Sequence, residues 1–495
     1  MQILQYLKTR FTTLKPPLIV PENPIVLLRM LNRRQVALFF VGFLAWTFDA
    51  FDFFSVTLNV IDIGATYHKS TSDITWGITI TLMLRSIGAV IFGIAGDRFG
   101  RKWPFIVNIV LYALVEIGTG FCATYEQFIG LRAVFGIAMG GIYGNCAATA
   151  LEDAPIAARG LLSGLLQQGY ACGFLLAAAF NLAITNHQRY GWRALFWFGG
   201  CPPLLIALWR VFLPETEAFL NVKRTREMNT STGKQLFSNH CHIDQSNISD
   251  ETKTMCSSIQ AFLQTIRLTL VQHWPMLIYM VLMMTGFNFL SHGSQDLYPT
   301  FLASTLDFSH TLVTITTIVA NCGALLGGMT VGYFSSFFGR RLSILVVLFI
   351  GALLIPAYVL PNDRNIMAGA FFQQMCVQGV WGVVPIHLME LSPVNFRSFV
   401  VGTAYQLGNL ISSASSTIEA KAGQSFPKKS LSGHSTNHEQ YDYAKVMAIF
   451  LSAVYIYLFI IILFGPEKRN IDEAKNENIS NDNISEEKSV PMKDI

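Results

Sequence analysis

Residues suited to binding an anion and carrying a proton are spaced along one segment of this chain. At about 100° per residue, one broad helical face would carry amide, imidazole, carboxylate and hydroxyl groups, from Asn288, His292, Gln295, Asp296 and Thr300. The surrounding run is otherwise apolar. Because such a stripe is costly in hydrocarbon, we expect it to face a bundle interior or a water-filled cavity. The pattern therefore indicates part of a pathway for substrate and protons.

The composition of the chain indicates that this segment lies in a membrane. With 52% hydrophobic residues, 13% charged residues and a mean hydropathy of +0.42, it departs from the usage of soluble domains. A hydrocarbon core of about 30 Å requires spans of roughly 20 apolar residues, and we predict about twelve. We expect an all-α integral membrane protein. The predicted spans lie near residues 36–60, 74–95, 103–122, 127–150, 160–184, 193–213, 274–297, 311–334, 342–360, 366–389, 398–418 and 445–464.

The distribution of basic residues predicts the orientation. With twelve spans both termini lie on one side, where Lys and Arg number roughly 25 against about 8 in the opposite loops. This places both termini in the cytoplasm, so the net charge of +4 reflects topology and gives no indication of a nucleic-acid partner. The predicted organisation is a cytoplasmic tail (1–34), a six-helix bundle (35–213), a cytoplasmic linker (214–272), a second six-helix bundle (273–464) and a cytoplasmic tail (465–495). The linker and tails offer contact sites for cytoplasmic regulatory proteins.

One motif occurs after the second span and again after the eighth. The first copy comprises Gly93, Asp97, Arg98, Gly100, Arg101 and Lys102, and the second comprises Gly332, Ser336, Gly339, Arg340 and Arg341. Glycine permits a tight turn and close helix approach, while the basic pair holds the loop on the cytoplasmic face. Each half is thus interpreted as one copy of a six-helix unit.

The duplicated motif resembles that of the major facilitator superfamily. This resemblance implies two six-helix bundles that rock about a central site, with inverted three-helix repeats in each half. The second copy departs from the pattern, since Ser336 stands where Asp is expected. We therefore expect a weaker charge interaction in the C-terminal half.

Residues 288–300 resemble the signature of the fungal carboxylate:proton symporters, the yeast permeases for lactate, pyruvate and dicarboxylates. The family pattern Asn-x-x-Ser/Thr-His-x-Ser-Gln-Asp-x-x-x-Thr is matched at Asn288, Ser291, His292, Ser294, Gln295, Asp296 and Thr300. Further stretches that resemble the family lie at 136–144, 152–155 and 405–409. The glycines of the first of these stretches most simply allow close helix packing. The resemblance implies a proton-coupled importer of small carboxylates in the plasma membrane.

Such an activity requires an anion site and titrating groups. Arg132 is the best anion partner by sequence, because a guanidinium presents a planar fork of donors to a carboxylate. It could instead pair with Glu116 to stabilise the bundle. Asp49 and Asp52 share a helical face and could pass a proton between them. The alternatives for these acids are a cation site or an ion pair with Arg85.

The stripe in the seventh span supplies the remaining candidates. His292 is the leading proton-coupling residue, since imidazole titrates near neutrality, and Asp296 one turn away would favour its charged form. Asp296 could alternatively act as a gate or a folding contact. Asn288 and Gln295 can bind a carboxylate without the desolvation cost of another charge. The alternative for His292, Asn288 and Gln295 is packing or hydrogen bonding between helices.

Amides from both halves suit a central pocket. Gln406 comes from the eleventh span and Gln168 from the fifth, where Gln167 and Gln168 cannot both point inward. We take Gln168 and Gln406 as candidate substrate contacts. An enlarged polar pocket would suit a second carboxylate, which favours dicarboxylates such as succinate or malate over lactate and pyruvate.

Two other classes of protein compete with a carrier. The sequence has no His-Glu-x-x-His, Cys-x-x-Cys or Gly-x-Ser-x-Gly motif, so we expect no enzyme, no metal and no cofactor. A nutrient receptor of the same fold, which binds a carboxylate without transporting it, is the alternative function. Membrane lipids, protons and a small carboxylate are the expected partners.

Overall fold

The computed structural model describes residues 9–16, 22–69, 71–181, 183, 191–225, 250–424, 426 and 442–468. The helices of the first half are α1 (Pro24–Arg29), α2 (Arg33–Leu58), α3 (Val60–Tyr67), α4 (Thr71–Phe99), α5 (Lys102–Thr119), α6 (Tyr125–Gly140), α7 (Ile142–Leu151), α8 (Arg159–Gln167), α9 (Gly169–Phe180) and α10 (Trp192–Phe212). Those of the second half are α11 (Asp250–Gln295), α12 (Tyr298–Ser304), α13 (His310–Phe338), α14 (Arg340–Val359), α15 (Ile366–Leu391), α16 (Arg397–Ser412), α17 (Ser415–Gln424) and α18 (Tyr443–Phe464).

Local sequence explains where several helices begin. Asn32 caps α2 and Thr124 caps α6, and each forms a capping box with a glutamine three residues later, Gln35 and Gln127. These reciprocal bonds satisfy backbone donors that the first turn of a helix leaves free. The caps thereby set the starts of the first and fourth spans.

Within the described residues, ten helical segments are long and apolar enough to cross a membrane, and they coincide with ten of the predicted spans. The predicted spans at 366–389 and 398–418 are also helical, as α15 and as α16 with α17. Helix α15 buries three glutamines, Gln373, Gln374 and Gln378, and α16 is only 16 residues long. Polar residues that face the protein interior lower the hydropathy of a span without removing it from the bundle.

The seventh span differs in detail from the expectation. Helix α11 begins at Asp250, within the predicted linker, and ends at Gln295. The helix is therefore interrupted before α12. Thr300 consequently lies in α12, and its side chain is outside the described part of the structure. The predicted polar face is therefore continuous only as far as Asp296.

Both motif turns contain a glycine with a positive φ angle, +104° at Gly100 and +90° at Gly339. This backbone conformation is unfavourable for residues with a Cβ atom, which explains the glycine in each copy. We call the end of the bundle that carries the two turns (residues 97–102 and 336–341) the basic end. Four-residue spacing there lets Arg101 pair with Asp97 at 2.5 Å, and Arg101 also pairs with Glu152 at 2.9 Å.

The two halves contact each other at the basic end. The Asp97 carboxylate accepts hydrogen bonds from the backbone N–H groups of Ser398 (3.2 Å) and Phe399 (2.8 Å) at the start of α16. The Ser163 hydroxyl donates to the Gly382 carbonyl at 2.9 Å and accepts from the Ile386 N–H group at 3.1 Å. These bonds join α4 to α16 and α8 to α15, so this end of the bundle is closed.

In the second motif copy, the corresponding bonds remain within the C-terminal half. Arg340 pairs with Glu390 at 3.1 Å and donates to the hydroxyls of Ser335 and Ser336. Ser336 thus stands in a serine–arginine–glutamate cluster where the first copy has the Asp97 carboxylate. The charge interaction between the halves described above comes from the first copy.

The glycines of α6 bring this helix directly against α4. A Cβ atom at Gly136 would lie 2.5 Å from the Thr81 carbonyl oxygen, and one at Gly140 would overlap the Arg85 carbonyl. No residue larger than glycine fits at either position without moving a backbone. The packing of α6 therefore fixes where α4 holds Arg85.

Candidate substrate and proton site

A cavity of about 500 Å³ lies between the two halves. Helices α2, α4, α8 and α9 line it from the first half, and α11 to α16 line it from the second. The lining residues come from the middle of the bundle and from the helix ends opposite the basic end. None of the residues that join the halves at the basic end belongs to this lining.

Two aromatic residues of the second half, Trp381 and Tyr405, line the cavity, and Tyr405 packs against aromatic rings of the first half. The rings of Tyr143 in α7 and Tyr405 in α16 are stacked, with centroids 4.0 Å apart. Trp46 lies 5.0 Å from Tyr143, and Trp381 lies 5.8 Å from Tyr405. This aromatic cluster is well packed, since all four side chains are at most 5% exposed.

The polar stripe of α11 faces this cavity. Asn288, His292, Gln295 and Asp296 all belong to its lining. The His292 Nδ1 atom lies 3.1 Å from the Asp296 Oδ2 atom, and these side chains are 17% and 38% exposed. Helical spacing of four residues produces this contact. The site thus contains a titratable pair in contact with the space a substrate would occupy.

The two amides of the stripe are anchored by protein partners. The Asn288 Nδ2 atom donates to the Met284 carbonyl at 2.9 Å, one turn earlier in α11. The Gln295 Nε2 atom donates to the Gln374 Oε1 atom at 2.9 Å, and Gln374 in turn donates to the Ser294 carbonyl at 3.3 Å. Each amide retains further hydrogen-bonding capacity, because an amide oxygen has two lone pairs and an amide nitrogen has two hydrogens.

Arg85 of α4 supplies a positive charge to the cavity wall. Its Nη2 atom lies 3.6 Å from the Asp49 Oδ2 atom, and its guanidinium lies over the Phe53 ring, 5.3 Å from the centroid. The Arg85 Nε atom is buried without a hydrogen-bond partner among the described residues. The sequence alone indicates only an ion-pair role for this arginine. The structure makes it the arginine that a cavity-bound anion can reach.

Arg132 does not line the cavity. It is 1% exposed, donates to Glu116 at 2.5 Å and to Thr119 at 2.8 Å, and packs 4.2 Å from the Phe135 ring centroid. Its surroundings match the alternative interpretation, an ion pair with Glu116 inside the first bundle. Only a large rearrangement would bring it to a substrate in the cavity.

The two aspartates of α2 are buried behind the cavity wall. Asp49 is 1% exposed and reaches the cavity only through its pairing with Arg85. Asp52 is 0% exposed, and both of its carboxylate oxygens lack hydrogen-bond partners among the described residues. A buried carboxylate without donors is more stable when it is neutral. Both aspartates therefore remain candidates for carrying a proton, but not for contacting a substrate.

The two other predicted amides do not belong to the cavity lining, although another amide close to each of them in sequence does. Gln168 packs against Gly328 and donates to the Gly164 carbonyl at 3.2 Å, and Gln406 accepts from the Asn409 Nδ2 atom at 3.1 Å. Gln167 and Asn409 belong to the lining instead. Gln167 and Gln168 are adjacent and therefore lie on different faces, whereas Asn409 shares a face with Gln406, three residues earlier, and is the one that reaches the lining. Sequence alone does not fix the rotation of each helix.

The fold and the cavity define the class of a multi-pass membrane transporter. The model of the sugar (and other) transporter family matches residues 37–474. The chain belongs to this family, and it is a transporter and not an enzyme. Within the described residues, no group of three or more His, Cys, Asp or Glu side chains could hold a metal ion.

Two similar proteins extend this assignment. The chain is 39% identical over 477 residues to the carboxylic acid transporter protein homolog of Saccharomyces cerevisiae, an alignment covering 95% of this chain and 75% of that protein. It is 24% identical to the cis,cis-muconate transport protein of Acinetobacter baylyi, over 75% of this chain and 84% of that one.

Solved structures show the fold. The proton:xylose symporter XylE superimposes with a TM-score of 0.65 at 17% identity, covering 88% of this chain and 96% of that one. A human organic anion transporter superimposes with a TM-score of 0.58 at 14% identity, covering 87% and 100%. The predicted major facilitator fold is confirmed.

Proposed function

We propose that this chain is a proton-coupled symporter that imports small carboxylates across the plasma membrane by alternating access. The observation that carries the proposal is the cavity between the halves, which combines the His292–Asp296 pair with the guanidinium of Arg85. A cation and a titratable pair in one cavity are what an anion:proton symporter requires. The similarity to a carboxylic acid transporter homolog supports the same substrate class.

Energetics gives the reason for coupling. Moving one negative charge into a cell against an inside-negative potential costs about 2.3 kcal/mol per 100 mV. An inward proton cancels that charge. When His292 takes up a proton, it becomes a cation held by Asp296, and its second nitrogen can donate to a substrate carboxylate. Substrate binding and proton binding then stabilise each other in the same state.

The anion site in this proposal bridges the two halves. Arg85 comes from the first bundle and His292 from the second, and both line the cavity within electrostatic range of each other. A carboxylate between them would neutralise two like charges and draw the halves together. Three further amides of the lining, Gln167, Gln374 and Gln378, can accommodate a second carboxylate. This lining favours succinate or malate over lactate or pyruvate.

The positive-inside rule assigns the basic end and both termini to the cytoplasm. With that orientation the described conformation is outward-facing, because the bonds of Asp97 and Ser163 close the cytoplasmic side. Proton and carboxylate would enter from outside and leave after these contacts separate.

Uptake of labelled succinate and lactate into proteoliposomes, with and without an imposed pH gradient, tests the proposal. We expect accumulation above the external concentration only when the lumen is alkaline. Binding without uptake would identify a receptor instead. Equal uptake with and without the gradient would show a carrier that is not coupled to protons.

The substrate preference depends on Gln167. We expect Gln167→Leu to lower the ratio of succinate to lactate uptake roughly fivefold, because losing one hydrogen bond costs about 1 kcal/mol. The loss should fall on the substrate with two carboxylates. The ratio is measured on one preparation, so it does not depend on expression. An unchanged ratio would remove Gln167 from substrate selection.

The closed state at the basic end depends on Asp97. We expect Asp97→Asn to shift the equilibrium toward opening at this end by about 1–3 kcal/mol, since two N–H groups of α16 and Arg101 lose their charged acceptor. Distances between spin labels on the two halves would report the shift. Ser336→Ala is the matched control in the second motif copy, and we expect it to leave the distances unchanged. Equal effects of both variants would contradict the assignment of the closing contact to Asp97.

A further inference from the structure

A further buried acid lies beside α11, the helix that carries the signature residues from Asn288 to Gln295, and it has no role in the proposed symport. We call α11 the signature helix. Glu419 of α17 is 0% exposed, and both of its carboxylate oxygens lack hydrogen-bond partners among the described residues. An ionised carboxylate without donors is strongly destabilised by burial, so the surroundings suit the neutral acid. A side chain that is accommodated with its proton is a candidate proton-binding site.

The contact between Glu419 and the signature helix depends on a glycine. The Glu419 Oε1 atom lies 3.1 Å from the position that a Cβ atom would take at Gly293, and the Phe450 ring of α18 overlaps the same position. Only a residue without a side chain leaves room there. Gly293 lies between His292 and Asp296 in sequence, and Asp296 is three residues further along, on the neighbouring part of the same helical face.

Two titratable groups face Glu419 from the helices packed around it. Asp296, at the end of α11, is within electrostatic range, and so is Tyr358 of α14. The Tyr358 hydroxyl donates its hydrogen to the Ser294 carbonyl and is therefore engaged elsewhere. Helix α18 contributes the apolar Phe450. Asp296 and Tyr358 both line the cavity, and Asp296 is the carboxylic acid of the two.

We propose that Glu419 is a second proton-binding site, loaded from the cavity through Asp296. This inference rests on the proposed symport. The proton leaves a carboxyl oxygen of Asp296 and binds a carboxylate oxygen of Glu419, and the negative charge moves to Asp296. Asp296 then pairs with His292, which takes up its own proton from the cavity. The C-terminal half thus carries two protons, which balance the two charges of a dicarboxylate dianion.

The number of protons carried per succinate tests this site. In proteoliposomes clamped at zero membrane potential, a fixed succinate gradient is opposed by graded pH gradients until net flux stops. We expect the ratio in Glu419→Gln to be lower by one proton than in the wild type, because glutamine imitates the neutral acid but cannot titrate. Glu419→Asp is the matched control and should keep the wild-type ratio. An unchanged ratio in Glu419→Gln would overturn the assignment.

The outcomes separate this inference from the function on which it rests. A wild-type protein that carries no protons would overturn both, whereas a coupled wild type with unchanged coupling in Glu419→Gln would overturn only the second site. Should Glu419→Gln fail to reach the membrane, carbodiimide labelling of the wild type provides the test, because the reagent attacks neutral carboxyls. We expect the mass-mapped adduct on Glu419 to decline as the buffer is made alkaline. A yield independent of pH would overturn the proposal.

Discussion

Replacement of Arg85 by glutamine is expected to weaken carboxylate binding about 30- to 150-fold, because a hydrogen bond to a charged group contributes about 2–3 kcal/mol. Glutamine keeps one donor group and much of the volume, but it removes the charge and the planar fork. The carboxylate affinity of Arg85→Lys should lie between those of the wild type and Arg85→Gln, since lysine keeps the charge but not the planar fork. Titration of purified protein with succinate measures the dissociation constant directly, without the need for transport.

Arg132→Lys provides the matched control for Arg85. Arg132 is buried against Glu116 and Thr119 and does not line the cavity. We expect this variant to lose thermal stability, because breaking one partner of a buried ion pair leaves an imperfectly compensated charge. Its dissociation constant should stay near that of the wild type. The reverse result, with binding weakened in Arg132→Lys and normal in Arg85→Gln, would return the anion site to Arg132.

Replacement of His292 by alanine is expected to abolish accumulation driven by a pH gradient. Imidazole is the side chain whose unperturbed charge change lies near neutral pH, and the His292 Nδ1 atom lies 3.1 Å from the Asp296 carboxylate. Without the imidazole, a pH gradient no longer favours the state that binds substrate. Exchange of labelled for unlabelled substrate at equal pH should persist at a reduced rate, since Arg85 remains. Uptake into proteoliposomes measures both activities.

His273→Ala controls for the loss of an imidazole from the same helix. His273 lies roughly five turns before His292 in α11, near the basic end and beside Pro393 and Phe396. We expect its replacement to leave accumulation unchanged. Normal accumulation in His292→Ala, with the protein present in the membrane, would remove His292 from the coupling role.

Much of the membrane architecture could be predicted from the sequence. Apolar runs of the length of a bilayer gave the spans, and the duplicated turn with Gly100 and Gly339 gave the division into halves. The seventh-span stripe is an equally local signal, because residues spaced by three and four must share a helical face. The placement of His292 and Asp296 on the cavity follows from that periodicity together with the cost of polar groups in lipid.

The choice between similar residues in different helices could not be predicted in the same way. Arg85 and Arg132 are both single arginines in apolar runs, and which one meets the cavity depends on how α4 and α6 are rotated. That rotation is fixed by the contact of Gly140 with the backbone of Arg85. The same uncertainty applies to Gln167 and Gln168. Such choices depend on packing between helices, which cannot be predicted from the sequence of one helix.

The contact between Glu419 and the signature helix also could not be predicted from the sequence. In the sequence, this acid follows the eleventh predicted span by one residue and carries no motif. Its significance comes from the space left at Gly293, more than 100 residues earlier in the chain. Only the three-dimensional structure brings these two positions together.

A structure determined with bound succinate is the most direct test of the central claim, that a carboxylate bridges the two halves. We predict density for one carboxylate between the Arg85 guanidinium and the His292 imidazole, with the rest of the molecule extending toward the amides of α15. Density for succinate elsewhere in the bundle, or within the cavity but away from both residues, would contradict the account.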